Sequence, residues 1–145
     1  MKLNNYTTFT HRLQFIKILC KTLPFPMEKA ERIRPFEEEC IKETKSVPDS
    51  MILMITGDLP NNTASRNFLK CLCIKTGYID ETGHIVVDKF VELLKDSGEV
   101  TEEFVKTLNE CNKITIDDIP NQVYQMYECF HKNSPITFFI PKSRR

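Results

Sequence analysis

The chain has 145 residues, 41% of them hydrophobic and 28% charged, with 20 basic side chains against 20 acidic ones. This is the composition of one globular domain rather than a disordered segment, and zero formal net charge excludes a nucleic-acid carrier, which needs a basic stripe to displace counterions from phosphate. No internal repeat or low-complexity tract is present, and no apolar run reaches the roughly 18–20 residues that a membrane span requires.

The opening stretch MKLNNYTTFTHRLQFIKILCKTLPFP has the outline of a secretion leader. Its apolar core FIKILC is short, however, Lys17 interrupts it, Lys21 ends it and no small-residue cleavage site follows. Residues 1–25 therefore read as an amino-terminal extension or altered leader, residues 26–141 as the folded domain and residues 142–145 as a basic tail.

RPFEEECIKETK predicts a helix with Pro35 in its first turn, where the acidic run 37–39 meets the positive end of the helix dipole. PMEKAERI reads as an earlier helical segment, kinked at Pro35. PDSMILMITGD predicts a short apolar helix capped by Asp49 or Ser50 and stopped by Gly57. The turn LPNNTAS opens a third helix that runs through Thr76 to Gly77. HIVVDKFVELLK places Val87, Phe90, Val91 and Leu94 on one stripe. VTEEFVKTLNEC carries a Thr101 cap and aligns Phe104, Leu108 and Cys111, and IPNQVYQMYECFHK aligns Val123, Met126, Tyr127 and Phe130. The tail NSPITFFIPK lies between Pro135 and Pro141 and reads as extended, with Ile136, Phe138 and Ile140 on one face. It either covers the core or lines and closes a cavity. The sum is six helices and an extended end, an all-α domain.

The six cysteines, at 20, 40, 71, 73, 111 and 129, permit either disulfides or reduced thiols. No CxxC is present, and the CxC at 71–73 has no histidines at zinc-finger spacing, so neither thioredoxin chemistry nor a metal site is expected. IDETGHI looks like the start of a calcium loop, but Tyr78 stands where the first acidic ligand belongs. Asn61-Asn62-Thr63 and Asn5-Tyr6-Thr7 fit the glycosylation sequon, the former equally well as the turn before a helix. Successive helix positions turn by about 100°, so Cys71 and Cys73 point about 200° apart and serve different surroundings.

Cys40, then CLCIKTGYIDETG, then LNEC, then YECFHKNSP with an apolar tail, in that order, resembles the insect odorant-binding protein family of PBP/GOBP type over about residues 30–141. The family pattern has six cysteines, of which Cys40, Cys71, Cys111 and Cys129 match the first, third, fourth and sixth. Asn67 and Pro120 stand at the second and fifth. The resemblance is therefore to the four-cysteine, or minus-C, branch, and it implies the bridges Cys40–Cys71 and Cys111–Cys129. Cys73 and Cys20 are additional to the pattern. Cys73 reads as a buried apolar thiol, with a Cys20–Cys73 bridge as the alternative.

The resemblance implies a compact six-helix fold around an apolar cavity that carries an odorant, pheromone or other lipophile through an aqueous secretion. No catalytic group, metal or cofactor is implied, and the expected localisation is extracellular. Candidate ligand-binding residues, taken from the helical stripes and the tail, are Met54, Phe68, Leu72, Phe90, Leu94, Phe104, Leu108, Val123, Met126, Tyr127, Phe138 and Ile140. For each of them ordinary core packing is the competing role. Met51 and Met54 would let the pocket adapt, and Tyr124 or Tyr127 would offer a hydroxyl to a ligand. Further expected partners are an odorant receptor or a second copy of the chain.

Some members of the family release ligand at lowered pH as the tail moves, and His84 and His131 are the groups that would titrate in that range. Two other readings compete with a carrier. One is a helical interaction protein without a small-molecule ligand. The other is a thiol enzyme built on Cys73, which lacks a histidine nearby in sequence and a glycine-rich anion site.

Overall fold

A computed structural model of the chain describes residues 21–141. The expectations for residues 1–20, for Cys20 and for the basic tail lie outside the described residues. From its amino end the fold runs through β1 (Lys21–Pro24), α1 (Met27–Thr44), α2 (Ser50–Thr56), α3 (Thr63–Thr76), α4 (Val87–Leu94), a 3-10 turn (Lys95–Ser97), α5 (Glu102–Cys111), α6 (Ile119–Asn133) and β2 (Ile136–Phe139). The all-α, six-helix architecture expected from sequence is the one observed. None of these helices is long and apolar enough to cross a membrane.

Local chemistry explains most of the boundaries. Asn62 caps α3 by accepting from the Ser65 N–H at 2.8 Å, Thr101 caps α5 by accepting from Phe104 N–H at 3.1 Å, and Asp118 caps α6 by accepting from Asn121 N–H at 3.2 Å. Gly57 and Gly77 end α2 and α3 in the left-handed conformation, at φ 88° and 86°. Asp49 occupies the cap position of α2 without a side-chain cap bond.

Two boundaries differ from the sequence reading. Pro35 lies inside a single continuous helix, not in the first turn of one, so the acidic run 37–39 is mid-helix and the first-turn acid is Glu28. Proline costs a helix one hydrogen bond, here the one that would reach the Glu31 carbonyl. Both residues are on the exposed side, where water can take that bond, while Ala30, Ile33 and Cys40 are buried on the other. The fold also includes Lys21–Pro24 and Phe25, which the sequence groups with the extension. β1 pairs with β2 in parallel, Lys21 opposite Ile136 and Pro24 opposite Phe139. The tail alternates as expected: Ile136, Phe138 and Ile140 are buried, whereas Phe139 is 40% exposed.

Two disulfides tie helices together. Cys40–Cys71 joins α1 to α3 and Cys111–Cys129 joins α5 to α6. The helical wheel of α3 then explains its other contacts. Phe68 and Leu72 pack into a hydrophobic cluster with Ala30, Ile33 and Cys40 of α1, whereas Leu69 packs into a second cluster with Val123, Tyr124 and Met126 of α6. Cys73, one turn after Leu69, belongs to that second cluster as well.

The connection from α3 to α4 is held by polar side chains. Asn112 Oδ1 accepts from the Ile85 N–H at 2.7 Å, and Nδ2 donates to the Ile85 carbonyl at 3.1 Å. Buried Gln122 donates to the Thr82 carbonyl at 3.0 Å and accepts from the Ile116 N–H at 2.8 Å. Within the loop, Asp80 Oδ1 accepts from the Thr82 N–H, the Thr82 hydroxyl and the His84 N–H. Those bonds, led by the Thr82 hydroxyl, hold the Asp80 carboxyl below its ordinary pKa. The carboxylate that suggested a calcium loop is a turn-forming group.

Two outcomes are expected. Replacing Cys111 and Cys129 together by serine lowers unfolding free energy by about 3 kcal/mol on the chain-entropy scale, read as a shifted midpoint in urea; an unshifted midpoint contradicts the role given to this bridge. At Gly83, with φ 85°, an added Cβ would stand 2.8 Å from Gln122 Nε2 and 3.0 Å from Ile119 Cγ2. Gly83→Ala should therefore cost about 2 kcal/mol, since it adds left-handed strain and displaces a tethered buried amide. Thermal denaturation within a degree of the parent would refute that account.

Candidate functional site

The two hydrophobic clusters do not close completely on each other. Between them lies a cavity of about 130 Å³. Phe25, which follows β1, and Ile33 of α1 bound it, with Met51, Met54 and Ile55 from α2. Leu69, Leu72, Cys73 and Thr76 bound it from α3, and Phe138 closes it from β2. The polar-clamped loop contributes Tyr78, Ile79 and Ile85, α4 contributes Phe90 and Leu93, and α5 contributes Leu108. The longest wall is α6, through Val123, Met126, Tyr127, Phe130 and His131. Phe25 and Phe138 meet edge to face at 5.8 Å, so the strand pair presents one aromatic unit to the space.

Eight of the residues chosen from sequence line this cavity together: Met54, Leu72, Phe90, Leu108, Val123, Met126, Tyr127 and Phe138. The other four, Phe68, Leu94, Phe104 and Ile140, are 0%, 1%, 0% and 3% exposed and belong to the packed core. Phe104, for example, packs edge to face behind the wall residue Phe130 at 6.0 Å. Helical periodicity identifies the buried side of a helix, not which buried residue borders a void. Sequence reasoning missed Phe25, Ile33 and Ile55 and two further sets. Leu69, Cys73 and Thr76 recur at i, i+4 and i+7, a legible second stripe on α3. The loop residues Tyr78, Ile79 and Ile85 have no periodicity to reveal them. On α4, the residue that joins Phe90 on the wall is Leu93 rather than the stripe member Val91.

The polar groups on the wall are few and mostly occupied. Tyr127 donates its hydroxyl proton to the Leu53 carbonyl at 3.3 Å and accepts from the Leu59 N–H at 3.1 Å. Tyr124, behind the wall, donates to the Leu59 carbonyl at 2.6 Å. Both tyrosines singled out from sequence as ligand donors are thus engaged with the backbone of α2 and of the segment that follows it. Thr76 donates to the Leu72 carbonyl at 2.7 Å.

Burial raises the pKa of Tyr127, pushes Tyr78 up to about 12 and pushes the Cys73 thiol up to about 12, each because removal from water penalises the anion. Cys73 is partly buried and lines the apolar cavity. His131 lines the cavity with its ring against Tyr127 at 4.7 Å and Phe130 at 5.4 Å. His84 lies away from it, bonded through Nδ1 to the Thr82 hydroxyl at 2.9 Å. No cluster of metal-ligating side chains occurs among the described residues.

A six-helix chain with these two bridges and an apolar cavity can be compared with known proteins, and residues 24–133 match the PBP/GOBP family. The chain belongs to the PBP/GOBP family. It is 21% identical over 120 residues to odorant-binding protein 22 of Aedes aegypti, a match spanning 83% of this chain and 87% of that one. Among solved structures, it resembles the fatty acid binding protein OBP56a from the oral disk of the blowfly Phormia regina. That likeness has 26% identity and a TM-score of 0.60, covering 77% of this chain and 96% of the other. Odorant-binding protein 7 of Anopheles gambiae, with four disulfide bridges and in complex with an azo compound, aligns at 19% identity and a TM-score of 0.52. Coverage there is 72% and 85%, and the likeness is one of fold.

The raised thiol pKa has a direct consequence. Below about pH 9 native Cys73 remains protonated and should resist iodoacetamide, while the denatured chain is alkylated; the native rate should climb only as pH approaches about 12. Peptide mass spectrometry after timed labelling measures this, and rapid native labelling of Cys73 at neutral pH would contradict the buried setting.

Proposed function

We propose that this protein is a carrier of small hydrophobic ligands, odorant, pheromone or other lipophile, which it holds in the cavity between its two clusters and moves through an aqueous secretion. The observation that carries this reading is the apolar space bounded by α2, α3, α6 and β2. Each Å² of apolar ligand surface removed from water is worth roughly 25 cal/mol, so a ligand burying about 200 Å² gains on the order of 5 kcal/mol before ordering costs. Such a site needs shape and dryness rather than a reactive group. The Cys73 thiol, shifted away from the thiolate, is the opposite of an activated nucleophile, which supports a carrier over a thiol enzyme. The names of the blowfly and mosquito relatives point the same way.

The same reading places the protein in the minus-C branch and makes it extracellular. Asn67, exposed on α3, and Pro120, in the first turn of α6, stand where a third bridge would be. Proline there loses no helical hydrogen bond. Without that bridge α3 and α6 are held to each other by packing, which lets the cavity open between them. Transfer to a receptor, or function as a homodimer, are further steps of the proposal.

The decisive experiment is a native mass spectrum of protein secreted by eukaryotic cells, followed by the denatured intact mass. The expected result is loss of four hydrogens, for two disulfides, and release of a small apolar molecule. Ligand at about a hundred times its Kd should add about 2.7 kcal/mol to unfolding. A reduced, ligand-free chain that no lipophile stabilises would overturn the carrier reading in favour of a protein-interaction role.

A further inference from the structure

Two asparagines stand side by side in the connection between α2 and α3, and the structure gives them different tasks. Asn62 is committed to the fold: its side chain accepts from the Ser65 N–H at 2.8 Å and caps α3. Asn61 takes no part in that cap, yet it is the one followed two residues later by a hydroxyl, at Thr63. Sequon and helix cap are therefore carried by different residues.

The connection is pinned on its inner side and open on its outer side. Buried Leu59 is held through its N–H by the Tyr127 hydroxyl and through its carbonyl by the Tyr124 hydroxyl. Pro60, Asn61, Asn62 and Thr63 are all exposed. Arg66 sets how Asn61 is turned. One guanidinium nitrogen donates to Asn61 Oδ1 at 2.7 Å and the other to the Thr63 hydroxyl at 3.4 Å. A guanidinium has donors only, so the amide must show it the oxygen and turn Nδ2 away. That nitrogen makes no hydrogen bond to the described protein. Neither Asn61 nor Thr63 lines the cavity.

From this arrangement we propose that Asn61 is a site of N-linked glycosylation. The donor is an oligosaccharide carried on a polyprenyl diphosphate. The bond from C1 of its terminal N-acetylglucosamine to the diphosphate oxygen breaks as the bond from C1 to Asn61 Nδ2 forms. The diphosphate leaves with the electron pair, and one amide proton is released. This chemistry belongs to the secretory pathway, so the inference rests on the extracellular reading above. A glycan is bulky and hydrated and must remain in water. Position 61 meets that demand: substitution at Nδ2 leaves Oδ1 bonded to Arg66, Leu59 anchored and the cavity wall untouched.

The test is expression of the full chain in cultured eukaryotic cells, once from its own start and once behind a supplied secretion leader. Asn5→Gln is present throughout, which leaves Asn61 as the one Asn-X-Ser/Thr acceptor in the sequence. Intact mass before and after peptide N-glycosidase should show a single glycan, and the peptide map should place the resulting aspartate at position 61. Asn61→Gln and Thr63→Ala should each abolish the glycan, whereas Thr63→Ser should retain it. Asn62→Gln should also retain it while lowering the melting temperature, because only the cap is lost. Secreted chain of unmodified mass, or a glycan that survives Asn61→Gln, would overturn the inference and leave the extracellular reading standing. A glycan at Asn61 behind the supplied leader, with the chain from its own start held unmodified in the cytosol, would support the site and sink the extracellular reading.

Discussion

Cross-linking in this fold is unequal, and the inequality governs everything else. One disulfide joins α1 to α3 and the other joins α5 to α6, so each pair behaves as a unit. Between α3 and α6, by contrast, the described chain has contacts of side chains alone: Leu69 and Cys73 from one helix, Val123, Tyr124 and Met126 from the other. The cavity lies along that seam. Because α3 must satisfy α1 on one face and α6 on another, Phe68 is committed to the first cluster, and the wall of the void falls to Leu69, Leu72, Cys73 and Thr76. A void is least costly to keep where packing, rather than covalent geometry, sets the separation.

Polar side chains fix the ends of the seam without intruding on it. Asn112 and Gln122 bond backbone groups of residues 82–85 and 116, substituting for the sheet or helix partners that an irregular loop lacks. That anchoring delivers Tyr78, Ile79 and Ile85 to the cavity. On the opposite side Tyr124 and Tyr127 reach across to the Leu59 and Leu53 backbone and hold the end of α2 against α6. Their hydroxyls spend their hydrogen bonds on architecture, so the interior stays apolar although several tyrosines surround it.

The electrostatic character of the interior is uniform as a result. Tyr78, Tyr127 and Cys73 are all shifted toward their neutral forms, each mainly by desolvation. Among the described residues no charged side chain is buried, and on the outside Lys75 pairs with Glu39 and Glu43 beside the Cys40–Cys71 bridge. Exposed pairs of this kind contribute little to stability, but they close the surface over α1 and α3 without bringing charge inward. A dry, uncharged interior is a selective environment in itself.

The sequence by itself determined the helices, their caps and most of the buried faces, because these follow from interactions between residues three or four apart. Thr101 and Asn62 announce their helices locally, and Ile136, Phe138 and Ile140 announce a face by alternation. The divergent directions of Cys71 and Cys73 were legible too: one forms a bridge and the other meets the cavity. Only the tertiary structure decided which buried residues border empty space. Phe68 and Leu72 share a face and are equally buried, yet only Leu72 meets the void, since the difference depends on what packs opposite. The same holds for the hydroxyls: Tyr124 and Tyr127 are engaged because partners distant in sequence, Leu53 and Leu59, were brought to them. Even the role of Lys21–Pro24 required its partner, for a short polar strand has no pattern of its own until Ile136–Phe139 lies beside it.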